Sequence, residues 1–166
     1  MVWINLVPSK VGCFVWRACL NRILTLVVLA KRRLNVPSTS CQLCNNGDDD
    51  TNHVLVKCPS LKTALDWIFR WCDIQVQHFN SVTKLVSFAI QWGQCPKKRK
   101  ILLAIIYSFL WFGWKARNDK IFNNLKISSM VLADNTINLL FNWVNHRGTF
   151  ENCKWVVCSC NLFRIL

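Results

Sequence analysis

The chain has 166 residues, of which 52% are hydrophobic and nine are tryptophan, and a formal net charge of +13 from 21 Lys and Arg against 8 Asp and Glu. So much apolar surface cannot stay in water, which excludes intrinsic disorder, and the length suits one domain whose core needs no disulfide staples. The excess positive charge favours a polyanionic partner, nucleic acid or an anionic membrane surface, and a merely solvated surface is the competing reading.

The first thirty residues lack a signal peptide's order of basic start, apolar run and small-residue cleavage site, because Lys10 and Arg17 interrupt the apolar stretch. The expected compartment is therefore reducing and intracellular, nucleus or cytoplasm, with the ten cysteines as thiols, core residues or metal ligands. From Pro8, the residues Val11, Phe14, Val15, Ala18 and Cys19 follow the spacing of a buried helical face that leaves out Lys10, Trp16 and Arg17. Thr25 is placed to cap a second, short helix with Leu26, Leu29 and Ala30 inward. Lys31, Arg32 and Arg33 then fall at its negative end. The stretch NVPSTS breaks the periodicity at Pro37.

Pro59 or Ser60 opens a helix carrying Leu61, Ala64, Leu65, Ile68 and Cys72, and Val82, Leu85, Val86 and Ala89 mark the next. A long helix is expected from about Lys97 to about Lys120. Its charge-free run, Ile101 to Trp114, has fourteen residues, whereas a membrane-spanning helix needs about twenty, so it reads as a buried helix. Lys97, Lys98, Arg99 and Lys100 sit at the positive end of that helix, where the macrodipole disfavours cations and contact with an anion would explain them. Met130, Ala133, Ile137, Leu140, Phe141 and Val144 form the last stripe, with Gly148 placed to end it. No strand-like alternation persists. The expected fold is all-α, helices around an aromatic-rich core with one cysteine-bearing loop inserted.

That loop, CQLCNNGDDDTNHVLVKC, has the spacing Cys41-x2-Cys44-x8-His53-x4-Cys58. A C-x2-C turn lets two thiolates grip one ion, and a later His and Cys close the tetrahedron that zinc prefers. Four protein ligands leave no position for water, so the expected Zn2+, one per chain, is structural rather than catalytic. The segment between Ser38 and Asn52 is too polar to bury free thiols in an apolar core. Asp48, Asp49 and Asp50 are expected to be solvated.

The order W-x4-P-x-K-V-x2-F-x-W-R (Trp3, Pro8, Lys10, Val11, Phe14, Trp16, Arg17), then NRILT from Asn21 to Thr25, Leu29, Arg32 and the C-x2-C-x8-H-x4-C segment, resembles the zinc-binding domain of plant LINE-type (non-LTR) retrotransposon reverse transcriptases. WFGWKARNDKIF, from Trp111 to Phe122, is similar to the W-x2-W-x2-RN-x3-F segment that follows in the same polyproteins. Asp50 stands where that pattern usually has Glu. With Met1 close to the first motif and no polymerase domain in the chain, the sequence reads as a detached C-terminal fragment of such a protein. The resemblance divides it into a zinc-binding domain over 1–72, a helical extension over 73–150 packed on it, and a tail over 151–166. It implies binding of RNA or DNA, largely sequence-tolerant, to assist template or target engagement by the polymerase part of a parent polyprotein.

The residues agree with a non-enzymatic role: nothing pairs a nucleophile with a base, and no carboxylates are placed to hold two metal ions. The candidate nucleic-acid-binding residues are Lys31, Arg32, Arg33, Lys97, Lys98, Arg99 and Lys100, and no membrane partner is expected. The alternative is a structural or protein-interaction domain in which zinc only holds the helices together. Cys153, Cys158 and Cys160, with His146, are a weaker second metal candidate, since C-x4-C-x-C lacks the two-residue knuckle. His78, Cys13, Cys19, Cys72 and Cys95 default to core or surface. Trp111 and Trp114 read as core by their helical spacing, whereas Trp16, outside its stripe, is open to a stacking role.

Overall fold

The structure, a computed structural model, describes residues 4–147. Its elements are α1 Ser9–Cys19, α2 Leu26–Lys31, a π-helical segment His53–Lys57, α3 Pro59–Trp71, α4 Val82–Gln91, α5 Pro96–Asn123 and α6 Ser129–Arg147. Among the described residues the only β pairing is one isolated antiparallel bridge, Ser40 with Asp48. The fold is all-α, as its periodicity requires. Among the described residues no helix is long and apolar enough to cross a membrane.

Local chemistry sets the helix starts. Pro8 precedes α1 in an extended conformation, and the first position of α3 is a proline, whose missing N–H costs nothing there. Thr25 accepts from Val28 N at 3.4 Å to cap α2, and Ser81 accepts from Lys84 N at 3.2 Å to cap α4. Val82 N also donates to Asn52 Oδ1 at 3.0 Å, which pins the start of α4 beside the π segment.

α5 is the central element. Every residue from Ile101 to Leu110 is buried, because α1, α4, α6 and the π segment pack around it. The fourteen-residue apolar run is thus a core helix enclosed by other helices. Val11, Phe14, Val15 and Ala18 of α1 are buried, and Phe14 meets Trp111 edge-on at 5.5 Å and Trp114 at 5.9 Å. On the far side Phe69, Phe79 and Phe88 form a second aromatic group with centroids 5.3 to 6.1 Å apart. One contiguous core joins residues of α1, the knuckle and α3 to those of α4, α5 and α6.

Two of the expected faces differ from those found. Leu26, Leu29 and Ala30 are only half-buried, because α2 is six residues long and lies on the surface. In α6 the buried stripe is Leu132, Ala133, Thr136, Leu140, Trp143 and Val144, while Met130 is exposed and Ile137 and Phe141 are half-buried. Thr136 occupies a core position because its hydroxyl donates to Leu132 O at 2.9 Å and its own carbonyl accepts from Ser108 Oγ at 3.0 Å. Gly148 and the Cys153, Cys158 and Cys160 cluster lie outside the described residues.

Candidate metal centre

The segment between α2 and α3 folds into a small knuckle held by its own backbone. Asp49 N donates to Thr39 O at 2.7 Å, Cys41 N to Gly47 O at 2.9 Å and Asn45 N to Cys41 O at 2.8 Å. Closing so tight a loop takes two residues in the left-handed region, Asn45 (φ 54°) and Gly47 (φ 81°), as suits their types. Gly47 has a second reason to be glycine. A Cβ there would stand 2.8 Å from Cε1 and 2.9 Å from Nδ1 of His53, so the imidazole lies directly against this backbone.

His53 and Cys58 are five residues apart, which on an α-helix would set them about 140° from one another. The chain is π-helical at this point instead, and Cys58 N donates to His53 O at 2.7 Å in the i→i+5 pattern. The wider turn brings the fifth residue back towards the first, which suits the H-x4-C spacing. Asp50 holds the start of the turn by accepting from Asn52 N at 2.8 Å and His53 N at 3.1 Å through Oδ1. A carboxylate at this position therefore orients the ligand histidine through its backbone.

Cys41 Sγ, Cys44 Sγ, a His53 ring nitrogen and Cys58 Sγ all lie within 4.8 Å of one another, and Cys44 Sγ is 3.3 Å from His53 Nε2. A zinc tetrahedron with bonds of about 2.0–2.3 Å has edges of roughly 3.5–3.8 Å, so this cluster fits the ion with little adjustment. Cys41 and Cys58 are buried, Cys44 and His53 half-buried. A hydrogen bond from Cys41 holds the Cys58 thiol below its ordinary range, while that same bond and burial push Cys41 well up; burial also raises Cys44. Zinc binds cysteine as thiolate, so an ion held here would take the place of the protons on Cys41 and Cys44.

Residues 1–64 match the family model described as zinc-binding in reverse transcriptase. All four ligands fall inside that span, and the match together with the Cys3His cluster supports a reverse-transcriptase zinc-binding domain holding one Zn2+ per chain. No curated protein and no solved structure matches the chain. The matched span ends within α3, so α4, α5 and α6 lie beyond it.

The zinc-binding domain is nevertheless tied to α5 by a buried ion pair. Arg117 donates to Asp49 through Nε at 3.0 Å and Nη2 at 2.5 Å, and the two side chains are 3% and 0% exposed. Asp49 Oδ1 also accepts from Leu26 N at 2.7 Å, where its charge meets the positive end of α2. The guanidinium is covered by Trp114, 4.9 Å from its ring centroid, and donates through Nη1 to Asn118 Oδ1 at 2.9 Å. The expectation that all three aspartates are solvated is therefore wrong for Asp49. It is a buried hub whose charge Arg117 balances, Asp50 is half-buried as a cap, and only Asp48 is exposed.

The basic candidates separate into two groups. Lys31, Arg32 and Arg33 are exposed around the end of α2, next to the knuckle that anchors this helix. Lys97 and Lys100 are exposed at the start of α5, but Lys98 and Arg99 are half-buried, and Arg99 donates to Trp92 O at 3.2 Å and Gly93 O at 2.8 Å. Arg99 thus closes the turn between α4 and α5. Along α5 this cluster is about 25–30 Å from Arg117, and so stands well away from the zinc site. His78 lies at the surface 3.8 Å from Asp66, Cys72 is buried in the core and Cys13 is exposed.

Sequence reasoning placed Gly47 in a loop but missed its approach to His53, and it missed the pairing of Asp49 with Arg117. Arg117 carried a signal, since an arginine within a tryptophan-rich helical stretch must find a counter-charge if it is buried. Nothing local identified Asp49 among its two acidic neighbours.

Proposed function

We propose that the chain is a zinc-stabilised nucleic-acid-binding module that assists template or target engagement by a reverse transcriptase without itself doing chemistry. The observation that carries this reading is the exposed run Lys31, Arg32 and Arg33 at the end of a short helix whose first turn is bonded to the knuckle, through Leu26 N to Asp49 Oδ1 at 2.7 Å and Val27 N to Asp49 O at 3.4 Å. Folding the metal site thereby fixes where three cations stand. The net charge of +13 gives the same direction of attraction over the whole molecule. The resemblance to plant LINE-type elements supports RNA or DNA as the polyanion and the polymerase part of a polyprotein as the setting. Lys97 and Lys100 add a second region for phosphate.

Binding of single-stranded RNA followed across a salt titration tests it. Affinity falls steeply with salt, and changing Lys31, Arg32 and Arg33 to Ala flattens the log–log slope by about 0.7 for each phosphate no longer neutralised, with zinc content unchanged. A triple variant that binds as well as the parent at every salt concentration refutes this surface.

A second reading, a protein-interaction domain, has its own observation. Phe122, Leu125, Met130 and Val131 are 76%, 59%, 57% and 44% exposed around the turn between α5 and α6, an apolar grouping that nucleic acid would not require. A polymerase domain is the partner this reading names.

A further inference from the structure

The outward face of α1 is unlike an ordinary solvated helix face. Ser9, Cys13, Trp16 and Leu20 follow one another at spacings of four, three and four, which forms a single column on α1 that Leu20 extends as the helix's C-cap, and all four are exposed. Lys10 and Arg17 form a parallel column, seven residues or about 10 Å apart. Arg22 is exposed in the turn that follows, and this stretch contains no acidic residue, since the first in the chain is Asp48. Trp16 is 44% exposed, whereas Trp111 and Trp114, beneath the same helix, are packed on Phe14. The buried face of α1 is complete without it, through Val11, Phe14, Val15 and Ala18.

We infer that this face of α1 is a stacking platform for an unpaired nucleobase, with the Trp16 indole as the ring and Arg17 and Arg22 as its phosphate contacts. The inference rests on the nucleic-acid reading above and deepens it by naming the form bound, a single strand. An exposed indole offers a flat apolar surface to any base, and neighbouring cations follow the backbone, the combination that single-strand binders use. A duplex hides its base faces between neighbouring pairs, so the same indole gives it no stacking contact. The charge around the ring favours a polyanion over a protein partner. Lys10 is partly committed, with its ammonium 5.6 Å from the Trp111 ring centroid, and is left out of the phosphate-binding set.

The test is fluorescence anisotropy of the zinc-loaded full chain with labelled oligouridine and with an RNA duplex of equal length, for the parent, Trp16→Ala, Trp16→Phe and Arg17→Ala. Trp16→Ala should weaken oligouridine binding roughly tenfold while leaving the duplex affinity and the salt slope as they were, and Trp16→Phe, which keeps an aromatic face, should recover most of the loss. Arg17→Ala should lower the salt slope by about 0.7. As a second readout, quenching of intrinsic fluorescence by oligouridine should fall sharply in Trp16→Phe. Trp16→Ala binding oligouridine like the parent, or losing single strand and duplex equally, overturns the platform while the nucleic-acid reading stands. A parent chain that binds neither RNA overturns both.

Discussion

Asp49 divides its carboxylate among three donors, Leu26 N and Arg117 Nη2 on Oδ1 and Arg117 Nε on Oδ2, in a fully buried position. Removing one member of such a pair leaves the other charge buried without a partner, which costs about 3–5 kcal/mol, whereas replacing both costs far less than the sum. Asp49→Ala should therefore lower stability to urea more than the double change Asp49→Leu with Arg117→Met, and equal losses would show that the pair is not what matters. Gly47 presents a different demand, since an Ala there suffers both the positive φ and a Cβ 2.8 Å from His53 Cε1. Gly47→Ala should displace the imidazole and weaken zinc binding at least tenfold in a chelator competition, while Asn46→Ala on the exposed loop leaves it unchanged. The ligand set was legible because C-x2-C and H-x4-C are local spacings. Arg117 with Asp49 was not, because 68 residues separate them and no periodicity reports a contact at that range.

At the scale of elements, the π turn and the long helix carry opposite lessons. Val11, Phe14, Leu61, Leu65, Leu85 and Ala89 fell where a 3.6-residue period put them, because each belongs to a helix with one covered side. The π turn had no such signature: Val54, Leu55 and Val56 are three consecutive buried residues, a run that matches neither helix nor strand alternation. The α6 stripe was legible in part, since Ala133, Leu140 and Val144 are buried as expected, but a polar residue, Thr136, fills a core position and the apolar Met130 does not. Gly113 in α5 was also silent in the sequence. A Cβ there would come within 2.6 Å of Leu61 Cδ2, so the glycine is what leaves room for the Leu61 side chain against α5. Gly113→Ala gains about 1 kcal/mol in helix propensity but overpacks Leu61 at a cost of about 1–3 kcal/mol. The expected net result is a lower thermal midpoint, with Leu61→Val in the same chain restoring part of it; a raised midpoint for Gly113→Ala alone would show that Leu61 yields freely.

Over the whole molecule, the knuckle meets the helices in two ways, through the apolar Val54, Leu55 and Val56 in the shared core and through one polar seam, Asp49 with Arg117. The loop from Thr39 to Thr51 is held largely by its own backbone bonds and by metal, while the π segment and α3 to α6 share a continuous apolar core. Chelation should therefore abolish hydrogen-exchange protection across the knuckle and α2 first, and leave the amides of α5 between Ile101 and Leu110 protected. Simultaneous loss in both would mean that zinc supports the entire fold. The seam itself, Asp49 with Arg117, also has a temporal side. A ribosome adding about 5–20 residues per second reaches Arg117 roughly 3–14 s after Asp49, so the nascent knuckle exists for seconds with that carboxylate facing water. During this interval its shape rests on local bonds and on whatever metal it has captured. Arrival of α5 then buries the charge and makes the loop's conformation conditional on a helix synthesised long after it.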